Sequence, residues 1–399
     1  MTMHVLDRPG PARHVAKTFA AIGAVAAVLA GVTAFARPAG AKTDQPTTPT
    51  YKVVTILSGK SLHHTYTKAG SSKLYSEPLA SPDDITRIGG DLFTTFQNGV
   101  GPQGQASPDG NRDSTIVEFT LSGAFVNQWD LRGKCDGLTA NPATGLVVAT
   151  VNEDANSSLY TIDPSTGQVV HYSYYKPLPH KGGTDAISFD NGLMLISASA
   201  PGTTGAAAPR PYYPAVYVVT LDQSNHLAYF NALFYDESHA TAANGPNFGH
   251  PVKLGLTDPD SNEVAPGIEP RFGGDFMLTS QGDKEQIYVN APDTSHQHLW
   301  VLNLSQSVDD TAWSTSWHGA FYAASTSDDT VVEIEGSFWP GTAFVAVTPC
   351  DANNAPATCP GAGFPPNYLG HLDMYTGNIY PVSVRGAALH PQGMIFVAF

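Results

Sequence analysis

The chain is poor in charge and in cysteine. Charged residues make up 14% of its 399 positions, and 20 Lys and Arg stand against 35 Asp and Glu, a formal net charge of −15. With no basic stripe to neutralise phosphates, nucleic acid is excluded as a partner, and an acidic surface is repelled by anionic lipid as well. No CxxC or HExxH spacing supports a zinc site. No GxSxG elbow, P-loop or dinucleotide fingerprint occurs in a strand–helix context, so serine-hydrolase, nucleotide and Rossmann chemistries drop out. Helical periodicity is almost absent, and beyond Phe35 no apolar run is long enough to span a bilayer.

What is present begins with an export signal. Arg8, Arg13 and Lys17 form a cationic start, an apolar run follows from Phe19 to Phe35, and Ala39-Gly40-Ala41 supplies a small-x-small cleavage pattern. Residues 1–41 are therefore expected to be removed, leaving residues 42–399 as the mature domain, secreted or periplasmic and without a membrane span. An uncleaved N-terminal tether is the alternative. In an oxidising compartment Cys350 and Cys359, which bracket CDANNAPATC, are expected to form a disulfide that staples their loop. Cys135 is left over and reads as a small buried hydrophobe.

The composition includes 38 Gly and 31 Pro, and apolar or alternating runs of four to eight residues recur between turn residues. This pattern predicts an all-β chain. Two sub-patterns repeat. One is an acidic start before an apolar strand: Asp84-Ile85-Thr86, Asp136-Gly137-Leu138-Thr139 and Asp185-Ala186-Ile187-Ser188. The other is a strand–turn–strand hairpin, as in YTIDPSTGQVV (160–170), VTLDQSNHLAY (219–229) and LDMYTGNIYPV (372–382). A four-stranded repeat of about 50 residues with such hairpins predicts a single β-propeller. Further repeat starts are expected near Thr257-Asp258, near His318-Gly319 and near Gly386-Ala387. That count gives six blades, with seven open, closed by the N-terminal YKVVTIL joining the C-terminal MIFVAF and a hairpin around Lys68-Ala69-Gly70.

CDGLTANPATGLVVAT (135–150) resembles the strand start of gluconolactonase-like propellers, and TIDPSTGQVV (161–170) resembles the hairpin of quinoprotein-like blades. The resemblance implies a secreted bacterial propeller with a divalent cation on its axis, held by carboxylates and Asn amides at the inner-strand starts. Asp136 and Asp185 match those positions, with Asp where the family has Asn.

Like charges gathered around an axis repel unless a cation or protons neutralise them, and hard oxygen ligands suit Ca²⁺ or Mg²⁺. The expected metal ligands are Asp84, Asp136, Asp185 and Asp258, with Asp260 and Asn262 as extensions; the competing reading is that each Asp caps its own turn. His180, His250 and His390 lie near three repeat starts and are candidate general bases or transition-metal ligands. The oxygen-rich loop 152–156 is expected on the opposite face. These features lead to a metal-centred hydrolase or lactonase acting on a small molecule. The alternatives are a non-catalytic propeller that binds a glycan, small molecule or protein, and a lyase or oxidoreductase using axial histidines.

Overall fold

The computed structural model describes residues 50–179, 182–199, 213–349 and 367–399. The signal region, His180, Cys350 and Cys359 lie outside the described residues. The described chain is built of strands joined by turns, with 3-10 turns at Gly59–Ser61 and Thr326–Asp328, in a propeller-like set of mainly antiparallel sheets.

Four-stranded meanders recur along the chain, as alternating apolar runs joined by short turns require. Pro82–Ile88, Asp91–Phe96, Asp113–Thr120 and Phe125–Arg132 form one sheet. Cys135–Ala140, Val147–Val151, Ser158–Asp163 and Gln168–Tyr174 form the next meander. Its last strand pairs in parallel with Leu227–Tyr235, the last strand of the meander begun by Ile187–Asp190, so the two share one sheet. Pro259–Val264 starts the following meander, whose outer edge gains the strands His239–Ala242 and Pro251–Lys253. Val308–Trp313 starts another, completed by Ala343–Val347, Tyr368–Leu372 and Ile379–Pro381.

The chain ends meet in one sheet. The C-terminal Pro391–Ala398 pairs with Gly319–Ser325, which pairs with Thr330–Glu335, which pairs with the N-terminal Thr50–Ser58. His318-Gly319 therefore opens a second strand rather than a repeat, and the hairpin flanking Lys68-Ala69-Gly70 is a separate two-stranded sheet outside the closure.

Apolar faces bury between successive sheets. Ile116 and Phe93 pack against Leu138 and Val147, and Phe344 and Leu369 pack against Phe321 and Met394. Leu92 and Phe119 meet Tyr322 and Val397, which fixes the terminal sheet against the first meander. Cys135 is free and fully buried in this core, where burial pushes its thiol pKa up, as a small hydrophobe rather than a reactive thiol.

Candidate functional site: an acidic pocket at the strand starts

Five of the first strands begin with the same irregularity. The pairing register slips between Pro82 and Ile85, between Cys135 and Leu138, between Pro259 and Asn262, between Val308 and Thr311, and opposite Pro391 and Met394. Each slip leaves two residues out of step: Asp83-Asp84, Asp136-Gly137, Asp260-Ser261, Asp309-Asp310 and Gln392-Gly393. Thr184-Asp185-Ala186 precedes Ile187–Asp190 at the equivalent place. A β-bulge bends a strand and re-aims a side chain. Here the bulges bring Asp83, Asp136, Asp185, Asp260 and Asp309 into the lining of one cavity of about 70 Å³.

The bulges also tie neighbouring first strands together. Leu138 N–H donates to Asp84 Oδ2 (2.6 Å), Thr150 Oγ1 donates to the Asp185 carbonyl (2.6 Å), and Asn262 Nδ2 donates to the Ala186 carbonyl (2.6 Å). Ser261 Oγ donates to the Asp309 carbonyl, and Met394 N–H donates to Asp310 Oδ2 (2.6 Å). Gly393 comes back against Asp83 and Asp84, where an added Cβ would lie 2.5 Å from the Asp83 carbonyl oxygen. Gly137 is likewise obligatory, since a Cβ there would run into the Asp185 carbonyl.

Two layers of carboxylates result. Asp84 and Asp310 hold backbone N–H groups and are positioning residues; Asp84 also accepts from Ile85 N–H (2.7 Å) and Asp310 from Thr311 N–H (2.7 Å). Burial and Asp310 nevertheless raise the Asp84 carboxyl, and burial pushes Asp310 up to about 6. The outer layer faces the pocket. Asp136 accepts from Gln97 Nε2 (2.7 Å) and pairs with Lys134 Nζ (2.7 Å), while Gln281 Nε2 donates to Asp309 Oδ1 (2.8 Å). Lys134 also pairs with Glu153.

Among the described residues Lys134 is the cation whose charge reaches this cluster. Burial, then Asp309, push Asp83 up to about 8. Asp136 and Asp185 are raised by burial and next by Glu153, and Asp260 by burial and next by Asp185. The Asp136 Oδ2 atom is buried without a hydrogen-bond partner.

The structure thus brings together Asp84, Asp136 and Asp185 of the expected set, with Asp260 and Asn262. Asp83, not Asp84, is the register partner of Asp136 and Asp185. Asp258 is half-buried two residues ahead of Asp260, outside the pocket lining, though its charge helps raise Asp260. His250 is exposed in a turn, and His390 Nδ1 pairs with Asp328 Oδ2 (2.8 Å), so neither lines the pocket. Loop 152–156 lies beside the strand starts, opposite to expectation. Cys135 pairs with Val151 in an antiparallel ladder, so the residues after Val151 emerge where the first strand begins.

All-oxygen donors at this density fit a hard cation in chemistry. The carboxylates are spread around the cavity, and among the described residues no three His, Cys, Asp or Glu side chains are gathered in ion-holding positions.

No protein-family profile matches the sequence, and no curated protein matches it. Solved structures similar in fold include a protein of unknown function from Bacteroides caccae, at 10% identity and a TM-score of 0.44 over 84% of this chain and 98% of that one. They also include the periplasmic gluconolactonase of Pseudomonas aeruginosa, at 12% identity and a TM-score of 0.43 over 87% and 99%. A third is a putative 6-phosphogluconolactonase from Bacteroides uniformis, at 11% identity and a TM-score of 0.39 over 84% and 97%.

Proposed function

We propose that the chain is an extracytoplasmic six-bladed β-propeller whose axial pocket binds a divalent cation, Ca²⁺ or Mg²⁺, and hydrolyses a small lactone or ester. The observation that carries this reading is the repeated strand start that gathers five aspartates, four of them at a register slip, around one cavity with Lys134 as the cation near them. Asp136, Asp185, Asp260 and Asp309 would hold the ion. When bound, such an ion polarises a carbonyl or activates water. The blade count is supported by the lateral bonds, which run from Asp84 through each first strand to Met394, and by the return of Gly393 to Asp83.

Of the described candidate bases, His250 and His390 lie elsewhere, and a carboxyl group of the pocket would carry the proton. Asp83 at about 8 sits near neutral pH, the range suited to giving or taking a proton. A second reading, a non-catalytic binding propeller, is favoured by the local satisfaction of Asp84 and Asp310.

Elemental analysis of the purified protein, melts with and without chelator, and a lactone and ester panel test these readings. Stoichiometric Ca²⁺ or Mg²⁺ that raises the melting midpoint and is lost in Asp185→Ala, with metal-dependent turnover, is the expected result. Cation binding without turnover leaves the binding propeller. No cation and no chelator effect overturns the metal-centred enzyme.

A further inference from the structure

A larger cavity of about 410 Å³ adjoins the acidic pocket: Thr139 and Glu263 line both. The strands that start at the aspartates run away from them, so the larger cavity is walled by later residues of the same strands. Arg87 comes from Pro82–Ile88, Thr139 from Cys135–Ala140, Ser188 from Ile187–Asp190 and Glu263 from Pro259–Val264. Its size falls in the range of roughly 300–1,000 Å³ usual for small-molecule sites.

Arg87 is the anomaly there. Its Nε is buried without a hydrogen-bond partner, and its side chain makes no hydrogen bond or ion pair with a described residue. Its charge reaches the Tyr322 phenol, which is itself uncharged. Buried polar groups are nearly always satisfied, and a buried guanidinium donor left unpaired is costly. The chain is strongly acidic, yet no carboxylate among the described residues closes on this arginine.

We propose that the far end of this cavity, at Arg87, binds the carboxylate or phosphate group of a small-molecule ligand. A guanidinium fork matches either oxoanion with paired, charge-assisted hydrogen bonds. Asn141, Thr139 and Ser188 present polar groups beside it, and Phe189 and Val264 present apolar surface for the ligand body. The other ionisable lining residue, Glu263, forms no ion pair with Arg87. The site does not depend on a cation at the aspartates.

The test is calorimetric titration of the whole protein, treated with chelator and held at constant ionic strength with chloride, using inorganic phosphate and, separately, acetate. Saturable binding of either probe is expected, weakened about tenfold or more in Arg87→Met and less in Arg87→Lys. Phosphate alone binding assigns a phosphate ester as the ligand; acetate alone assigns a carboxylic acid. No saturable binding of either probe to folded wild-type protein, or equal binding by Arg87→Met with a native circular dichroism spectrum, overturns the proposal. Should Arg87→Met not fold, unweakened binding by Arg87→Lys overturns it instead. Because chelator is present throughout, failure of the cation reading leaves this result intact.

Discussion

Asp163, Asp222 and Asp373 close outer hairpins, whereas Asp83, Asp136, Asp185 and Asp260 open first strands, and one side-chain type behaves oppositely at the two places. In the hairpins each carboxylate is wrapped by the donors of its own turn. Asp163 accepts from Ser165 N–H (2.9 Å), Ser165 Oγ (2.6 Å) and Thr166 Oγ1 (2.8 Å). Asp222 accepts from Ser224 N–H (3.0 Å) and Asn225 Nδ2 (2.8 Å), and Asp373 from Tyr375 N–H (2.9 Å) and Thr376 Oγ1 (2.8 Å). Side-chain hydrogen bonds lower Asp163 and Asp222; Asp373 is lowered too, its hydrogen bonds outweighing its burial. The pocket aspartates are raised by burial and by one another. Donors that come with the turn make an aspartate a structural clip; a bulge that turns several aspartates toward one small space stores repulsion for a ligand to relieve.

The strongest way to break that contrast is to remove the cation that the described residues place at the pocket. Lys134 is largely buried, with 17% of its side chain exposed, between Asp136 and Glu153. Lys134→Met is expected to cost roughly 3 kcal/mol at pH 8, the order found when one partner of a buried pair is deleted. The cost should shrink at pH 5, where the pocket acids carry protons. Chemical denaturation of both proteins at the two pH values checks this, and an equal cost at both would show that Lys134 acts through packing alone.

Titration sharpens the contrast next. An acid whose folded pKa is raised holds its proton in the native state after the unfolded chain has released it, so folding loses stability as pH rises between the two values. For Asp83 and Glu263 that window runs from the ordinary carboxyl range to about 8. The hairpin aspartates act in the opposite sense, their contribution being lost only as pH falls through their lowered values. Chelated protein should therefore melt at progressively lower temperature from about pH 5 to pH 8. Saturating Ca²⁺ should flatten this slope; a chelated protein with no slope would remove the stored repulsion.

Much of this was legible in the residues. The D-P-S-T-G hairpins and the alternation of apolar runs carry local turn and strand chemistry, and both the sheets and the terminal closure follow from them. The first-strand aspartates were partly legible, because CDGLT and TDAIS share spacing. PDDIT misled by one position: its two adjacent aspartates are separated only by the bulge, which sends Asp83 to the pocket and Asp84 to the next strand's backbone. Asp309 was missed because VDDTA lacks the apolar residue two positions after its first aspartate, and the repeat was sought at His318 instead. The available signal was a Pro, Cys, Thr or Val before Asp at each start. Arg87 was not legible at all, since its lack of a partner depends on which strands surround it.

The smallest expected effect lies at the hairpins and serves as the control for the comparison. Asp163 sits in its hairpin turn, and its bonds to Ser165 and Thr166 close within four residues. Asp163→Ala removes a clip without touching the axial cavity, so it should lower the melting midpoint slightly and leave the Ca²⁺ isotherm unchanged. Distant, unshared sites add, so Asp163→Ala combined with Asp185→Ala should show the sum of the two single shifts. A change in cation affinity from Asp163→Ala would mean that hairpin and pocket are coupled through the length of the blade, and the division between clip and pocket would fail.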